Sequence, residues 1–244
     1  MTLKKYIKNV FILFALSTLV TFTSCDNRSV DVDTEEINTN DLKIKIFHLD
    51  VVNTLVCYDD TKNGVIVDPG MTLKSEQTAL LNFIKKENIV VKYIINTHPH
   101  GDHIVGNAFC VKNFNVPLVA HEAGLPLYNR AATGVDVSSC PTYDIKISDG
   151  DDLTFGNQTW KVLYTPGHAN GSVCLYDEKN KVVIVGDVLF AGSIGRTDFP
   201  TGNSEQLMQS INEKLLPLGD DVIVIPGHGE TTTIGNEKKN NPFL

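Results

Sequence analysis

Six consecutive residues constrain this chain more than any other feature: His98-Pro99-His100-Gly101-Asp102-His103, joined through Thr97 to the apolar run 90–96. The chain has only seven histidines, and three of them fall here. On an extended chain residues i and i+2 face the same way, so His98 and His100 can grip one ion together. Gly101 then frees the backbone to turn. Asp102 and His103, presented from the other side of that turn, can reach a second ion. A loop alone does not close such a site, so the other donors must come from far along the chain. Three more apolar runs each end in a candidate: 160–164 leads to T-P-G-His168, 181–185 to G-Asp187, and 221–225 to P-G-His228. Each is weak alone, because a lone histidine after a strand is commonly a packing residue and an aspartate there is commonly a helix cap. Their joint order requires a fold in which four strand ends meet.

The rest of the pattern supplies strands and helices for such a meeting. Residues 42–49, 53–58 and 64–68 predict three consecutive strands, the last ending in the turn Asp68-Pro69-Gly70. A helix is predicted over 74–87, with Leu73, Leu80, Leu81 and Ile84 near one face. A second, at about 104–113, follows the histidine loop and takes the chain towards 117–120. Strands sandwiched between helices give an α/β layer arrangement with the polar groups gathered along one rim of the sheets.

The first 25 residues read as an export signal and not as part of the fold. Lys4, Lys5 and Lys8 form a positive segment, Val10 to Phe22 an apolar one, and Ser24 precedes Cys25. The apolar run is well short of the ~20 residues that span a bilayer. A small residue followed by Cys resembles the lipobox of bacterial lipoproteins, which implies a lipid anchor at Cys25 and an envelope or periplasmic location. Residues 26–40 are polar and acidic and predict a flexible tether, so the folded domain is expected over 41–244.

Removing residues 1–25 takes away three lysines and no acid, which leaves 18 basic and 29 acidic residues, or −11. That balance repels phosphate backbones and argues against a nucleic-acid partner; a small-molecule substrate is expected. Cys57, Cys110, Cys140 and Cys174 remain. They could pair in three ways, but no C-x-x-C spacing marks a zinc ribbon or a redox dithiol, and buried small hydrophobes are the default. His48 and His121 complete the histidines, with ordinary packing roles expected.

The order H-x-H-x-D-H, then His, then Asp, then His resembles the ligand pattern of the metallo-β-lactamase superfamily, from about residue 42 to the C-terminus. The resemblance implies a four-layer αββα sandwich. It places His98, His100 and His168 on a first metal and Asp102, His103 and His228 on a second, with Asp187 bridging. The run G-D-V-L-F-A-G-S-I-G-R-T-D-F-P-T-G-N over 186–203 and the closing P-G-H-G-E-T-T-T-I-G-N look like short bacterial relatives of hydroxyacylglutathione hydrolase, glyoxalase II. That family carries a further C-terminal helical region for glutathione, whereas 16 residues follow His228 here. Its members imply two divalent ions, zinc first, with iron or manganese as alternatives.

The chemistry follows from the ligands. Two ions can share a water and lower its pKa from 15.7 towards ~7, so a metal-bound hydroxide is available at neutral pH to attack a thioester. Asp102 can both ligate and orient that nucleophile, which gives it a catalytic role. Asp68 either supports a ligand histidine or forms a plain turn. Arg196 either holds a substrate carboxylate or pairs with Asp198. Other readings stay open: a one-iron persulfide dioxygenase, which also shows G-R-T-D-F; a lactonase or β-lactamase, although β-lactamases with a dedicated second-metal cysteine have it where this chain has Asp187; and a non-catalytic metal-binding lipoprotein.

Overall fold

The computed structural model describes residues 32–50, 52–131 and 141–244. The proposed signal, Cys25 and Cys140 lie outside these residues.

Strands β1 (Asp33–Asn38), β2 (Leu42–His48), β3 (Asn53–Asp59), β4 (Asn63–Val67), β5 (Val90–Ile95), β6 (Leu118–His121) and β7 (Ile145–Ile147) form one sheet in chain order. The pairing is antiparallel from β1 to β4 and parallel from β4 to β7. The second sheet contains β8 (Asp152–Phe155), β9 (Gln158–Tyr164), β10 (Val173–Asp177), β11 (Val182–Gly186), β14 (Ile223–Pro226) and β15 (Thr232–Thr233). Its order is β15-β14-β11-β10-β9-β8. A small hairpin, β12 (Leu189–Phe190) with β13 (Ser193–Ile194), stands apart.

Alternation along the strands determines the layering, since successive side chains point to opposite faces. Ile44, Leu55, Cys57, Val65, Val67 and Ile95 from the first sheet pack against Trp160, Val162, Leu175, Ile184 and Ile225 from the second. Their neighbours of opposite parity, Val56, Tyr58, Ile66 and Ile94, face outward and are covered by Leu80 and Ile84 of α1 (Lys74–Glu87) and Cys110 of α3 (Asn107–Phe114). On the other side, Val183, Val185 and Val224 meet Leu207 of α5 (Ser204–Ser210), Ile211 and Leu215 of the π-helical turn after it, and Ile234 of α6 (Ile234–Asn240). The result is the expected four-layer αββα sandwich. α4 (Leu125–Ala131) lies between β6 and β7 in the chain.

Three local expectations are corrected. Residues 33–38 of the expected tether form the edge strand β1, paired with β2 from Asp33↔His48 to Asn38↔Lys43. An edge strand can be polar because its backbone, not its side chains, makes the pairing, and charged residues there guard the open edge. On α1, Leu80 and Ile84 are buried, Leu81 is half-buried and Leu73 is 48% exposed. Leu73 precedes the helix as its cap, where Glu76 accepts from the backbone N–H groups of Thr72 and Leu73. The helix expected at about 104–113 is broken into α2 (Gly101–Ile104) and α3. At the break Gly106 donates to the Pro69 carbonyl at 2.7 Å, an approach too close for a side chain.

Cys57, Cys110 and Cys174 are free and buried as expected, and burial pushes the Cys174 thiol up to about 12. No helix among the described residues is long and apolar enough to cross a membrane.

Candidate metal centre

The rim at the carboxyl ends of the strands collects all seven sequence-predicted ligands. His98 follows β5 by three residues, and Thr97 beside it is stitched to the second sheet, its carbonyl accepting from Val173 N at 2.9 Å. Asp102 and His103 lie on α2. His168 sits on the loop between β9 and β10, Asp187 directly after β11, and His228 just after β14. Gly167, at φ +127°, lets the His168 loop press on the backbone of Leu207, where a Cβ has no room.

These donors gather into two triads. In one, Nδ1 of His100 lies 3.0 Å from Nε2 of His98 and 2.8 Å from Nε2 of His168. In the other, Nε2 of His228 lies 3.4 Å from Nε2 of His103 and 3.3 Å from Oδ2 of Asp102. Within each triad the donor atoms fall within 4.8 Å of one another. Asp187 stands between the triads. Its Oδ2 is 3.5 Å from Nε2 of His168 and 3.3 Å from Nε2 of His228, and its Oδ1 is 3.3 Å from Nε2 of His103.

A backing shell fixes which nitrogen of each ring faces inward. Asp68 holds Thr97 through its backbone N–H (2.7 Å) and hydroxyl (2.6 Å) and accepts from Nδ1–H of His103 at 2.9 Å. With the Thr97 hydroxyl hydrogen committed to Asp68, its oxygen is left to accept from Nδ1–H of His98, 3.1 Å away. Nδ1–H of His168 donates to the Arg196 carbonyl at 2.7 Å. Each of these three rings therefore turns its Nε2 towards the centre. Asp68 fills both suggested roles, because it also adopts the left-handed turn conformation at φ +48°.

Burial pushes His98 well below the usual imidazole range, His100 down to about 4, and His168 down as well. Burial also opposes charge on His103 and His228, but the carboxylates outweigh it. Asp187 and Asp68 raise His103 well above its usual range, and Asp102 and Asp187 raise His228 to about 9. In turn His103 and His228 hold Asp187 well below the carboxylate range despite its burial. The carboxylates of Asp68, Asp102 and Asp187 thus favour positive charge at this spot.

Divalent cations would supply that charge. Oδ1 of Asp187 is buried without a hydrogen-bond partner, an arrangement that costs free energy unless something ligates it. Mixed imidazole and carboxylate donors suit zinc, iron and manganese.

Beyond the ligands, Gly101, Phe190, Arg196 and Phe199 line a cleft of about 400 Å³ over the centre. Arg196 forms a two-point pair with Asp198, both bonds 2.7 Å, while its guanidinium lies 3.9 Å over the Phe199 ring. Of the two sequence alternatives the pair with Asp198 is present, and Arg196 also borders the cleft. Phe190 and Phe199 escaped the sequence reading, although both lie in the glycine-rich run 186–203. Thr97 escaped it too, because a threonine before a histidine carries no signal of its own. His48 and His121 lie outside the centre; the His121 ring stacks on Tyr164 at 4.2 Å.

Known proteins share this arrangement's sequence. Residues 49–228 match the family model described as the metallo-beta-lactamase superfamily. The chain is 37% identical over 199 residues to the hydroxyacylglutathione hydrolase GloC of Haemophilus influenzae, covering 79% of this chain and 92% of that protein. Among solved structures it is similar to the BLEG-1 B3 metallo-beta-lactamase, with TM-score 0.74 and 38% identity over 83% of this chain and 99% of the other. It is also similar to TTHA1623, solved in a di-iron-bound form, with TM-score 0.71 and 30% identity over 85% of this chain and all of the other. With its αββα layers and its rim of histidines and aspartates, the chain belongs to the metallo-β-lactamase superfamily and is of the metal-dependent hydrolase class.

Proposed function

We propose that this chain is a dinuclear hydrolase of thioesters, related in chemistry to hydroxyacylglutathione hydrolase, with zinc as the first candidate metal. The observation that carries the reading is Asp187, whose two carboxylate oxygens reach Nε2 atoms of both triads within 3.5 Å. Bound there, divalent ions would polarise a carbonyl and lower the pKa of water towards ~7. The described residues lining the cleft include no serine, cysteine or lysine, so water is the nucleophile they can serve. Asp102, half-buried and kept ionised chiefly by His228, is placed to accept a proton from that water and orient it. Arg196 can offer a remaining N–H to a substrate carboxylate at the cleft mouth. A thiolate leaves without full protonation, which suits a cleft with no neutral acid side chain on its wall.

β-Lactam hydrolysis is the second reading, favoured by the 38% identity to a B3 metallo-beta-lactamase. Elemental analysis of the purified protein, paired with kcat/KM for a hydroxyacyl thioester and for a penicillin or carbapenem, tests both. Two metal equivalents and a higher kcat/KM for the thioester are expected. A higher value for the lactam overturns the substrate assignment, and full activity without metal overturns the mechanism.

A further inference from the structure

One side chain outside the metal centre reaches the loop that carries His228, and a second orients it. Asn53, the first residue of β3, is 5% exposed. Its backbone N–H donates to the Gly227 carbonyl at 2.7 Å. Its side-chain amide donates to the Pro226 carbonyl at 3.1 Å and to the Gly229 carbonyl at 2.9 Å. One residue therefore satisfies three main-chain carbonyls around His228. The loop has little stiffness of its own, because glycines stand on both sides of the ligand and Gly229 adopts φ +74°. It is also tightly seated: a Cβ at Gly227 would come within 2.6 Å of the His103 ring and collide with Oδ1 of Asp187. A small shift of this loop moves His228 relative to Asp102 and Asp187.

His48 orients the amide. It lies directly opposite Asn53 in the β2–β3 register, and its Nδ1 is 2.8 Å from Oδ1 of Asn53. That oxygen can only accept, so Nδ1 of His48 carries the proton, and both amide hydrogens are left for the loop. Glu35 on β1 stands 3.6 Å from the other ring nitrogen.

We propose that Asn53, oriented by His48, is the positioning residue for His228 and sets the affinity of the second ion site without being a ligand. The proposal rests on the dinuclear reading above. The first triad is backed by different groups, Thr97 and the Arg196 carbonyl, so the effect of losing Asn53 is confined to the second ion.

The test titrates apoprotein with zinc ions against a chromogenic chelator and resolves the two equivalents. Asn53→Ala is expected to take up the first equivalent with unchanged affinity and the second about 10–100-fold more weakly, the range for lost supporting contacts in metal sites. His48→Ala should weaken the second equivalent in the same direction, and His48→Asn, whose amide nitrogen replaces Nδ1, should restore it. Should Asn53→Ala not fold, the two His48 variants carry the same test. Equal weakening of both equivalents, an unchanged second equivalent in Asn53→Ala or in His48→Ala, or no recovery in His48→Asn overturns the proposal. A wild-type protein that takes up fewer than two equivalents overturns the dinuclear reading itself and this proposal with it.

Discussion

Asp68 is one carboxylate with three donors, and it shows how much of this centre is decided behind the ligands. It fixes His103 directly and His98 through Thr97, one ring from each triad. Asp68→Asn keeps the shape but places an amide where an anion accepts hydrogen bonds, so metal affinity should fall by about 10–100-fold. Equilibrium metal titration of the variant checks this, and wild-type affinity would remove Asp68 from the centre. Arg196 makes a second residue-scale prediction. Since Asp198 already occupies two of its N–H groups, Arg196→Ala should raise KM for an anionic thioester about tenfold while leaving kcat nearly unchanged. An unchanged KM would mean that the residue serves only its pair with Asp198.

At the scale of elements, each ligand is delivered by the end of a strand or the start of a helix, and rigidity comes from the strands behind. Trp160 on β9 is the largest fully buried side chain, packed edge-on to Phe155 at 4.8 Å. Its indole N–H donates to Oδ2 of the buried Asp177 at 3.1 Å. Trp160→Phe removes both the hydrogen bond to a charged acceptor and part of the inter-sheet filling. A loss of about 2–4 kcal/mol in unfolding free energy is expected by denaturant titration. The ligands stand at the far end of β9 from this contact, so the metal content of the folded variant should be unchanged.

For the molecule as a whole, the two sheets carry complementary halves of the centre. The first sheet contributes His98, His100, Asp102 and His103, the second His168, Asp187 and His228. Neither half closes a site alone, so metal binding depends on the sandwich being formed. The N-terminal pattern places this domain outside the cytoplasm in our proposal, anchored by a lipid on Cys25. Cys25→Ala should then release the protein from the membrane fraction, as followed by fractionation and intact-mass measurement. Unchanged retention with an unprocessed N-terminus would refute the anchor.

The sequence alone was sufficient to single out the seven residues that gather on one rim, and the layered fold. Metal donors must be chemically distinctive residues, and their spacing after apolar strands is written directly in the chain. Strand parity and the helix Lys74–Glu87 were legible for the same reason, since they depend on local periodicity. Only the tertiary structure decided what depends on distant partners. The polar segment 33–38 becomes a strand because β2 offers it a backbone edge. A long helix after the histidines breaks because Gly106 must touch Pro69. Asn53 and His48 gain a role only because β3 passes under a loop more than 170 residues away. Hydrogen bonds between backbone carbonyls and ordinary polar side chains leave no mark in composition or spacing, and the contacts that aim the ligands are of that kind.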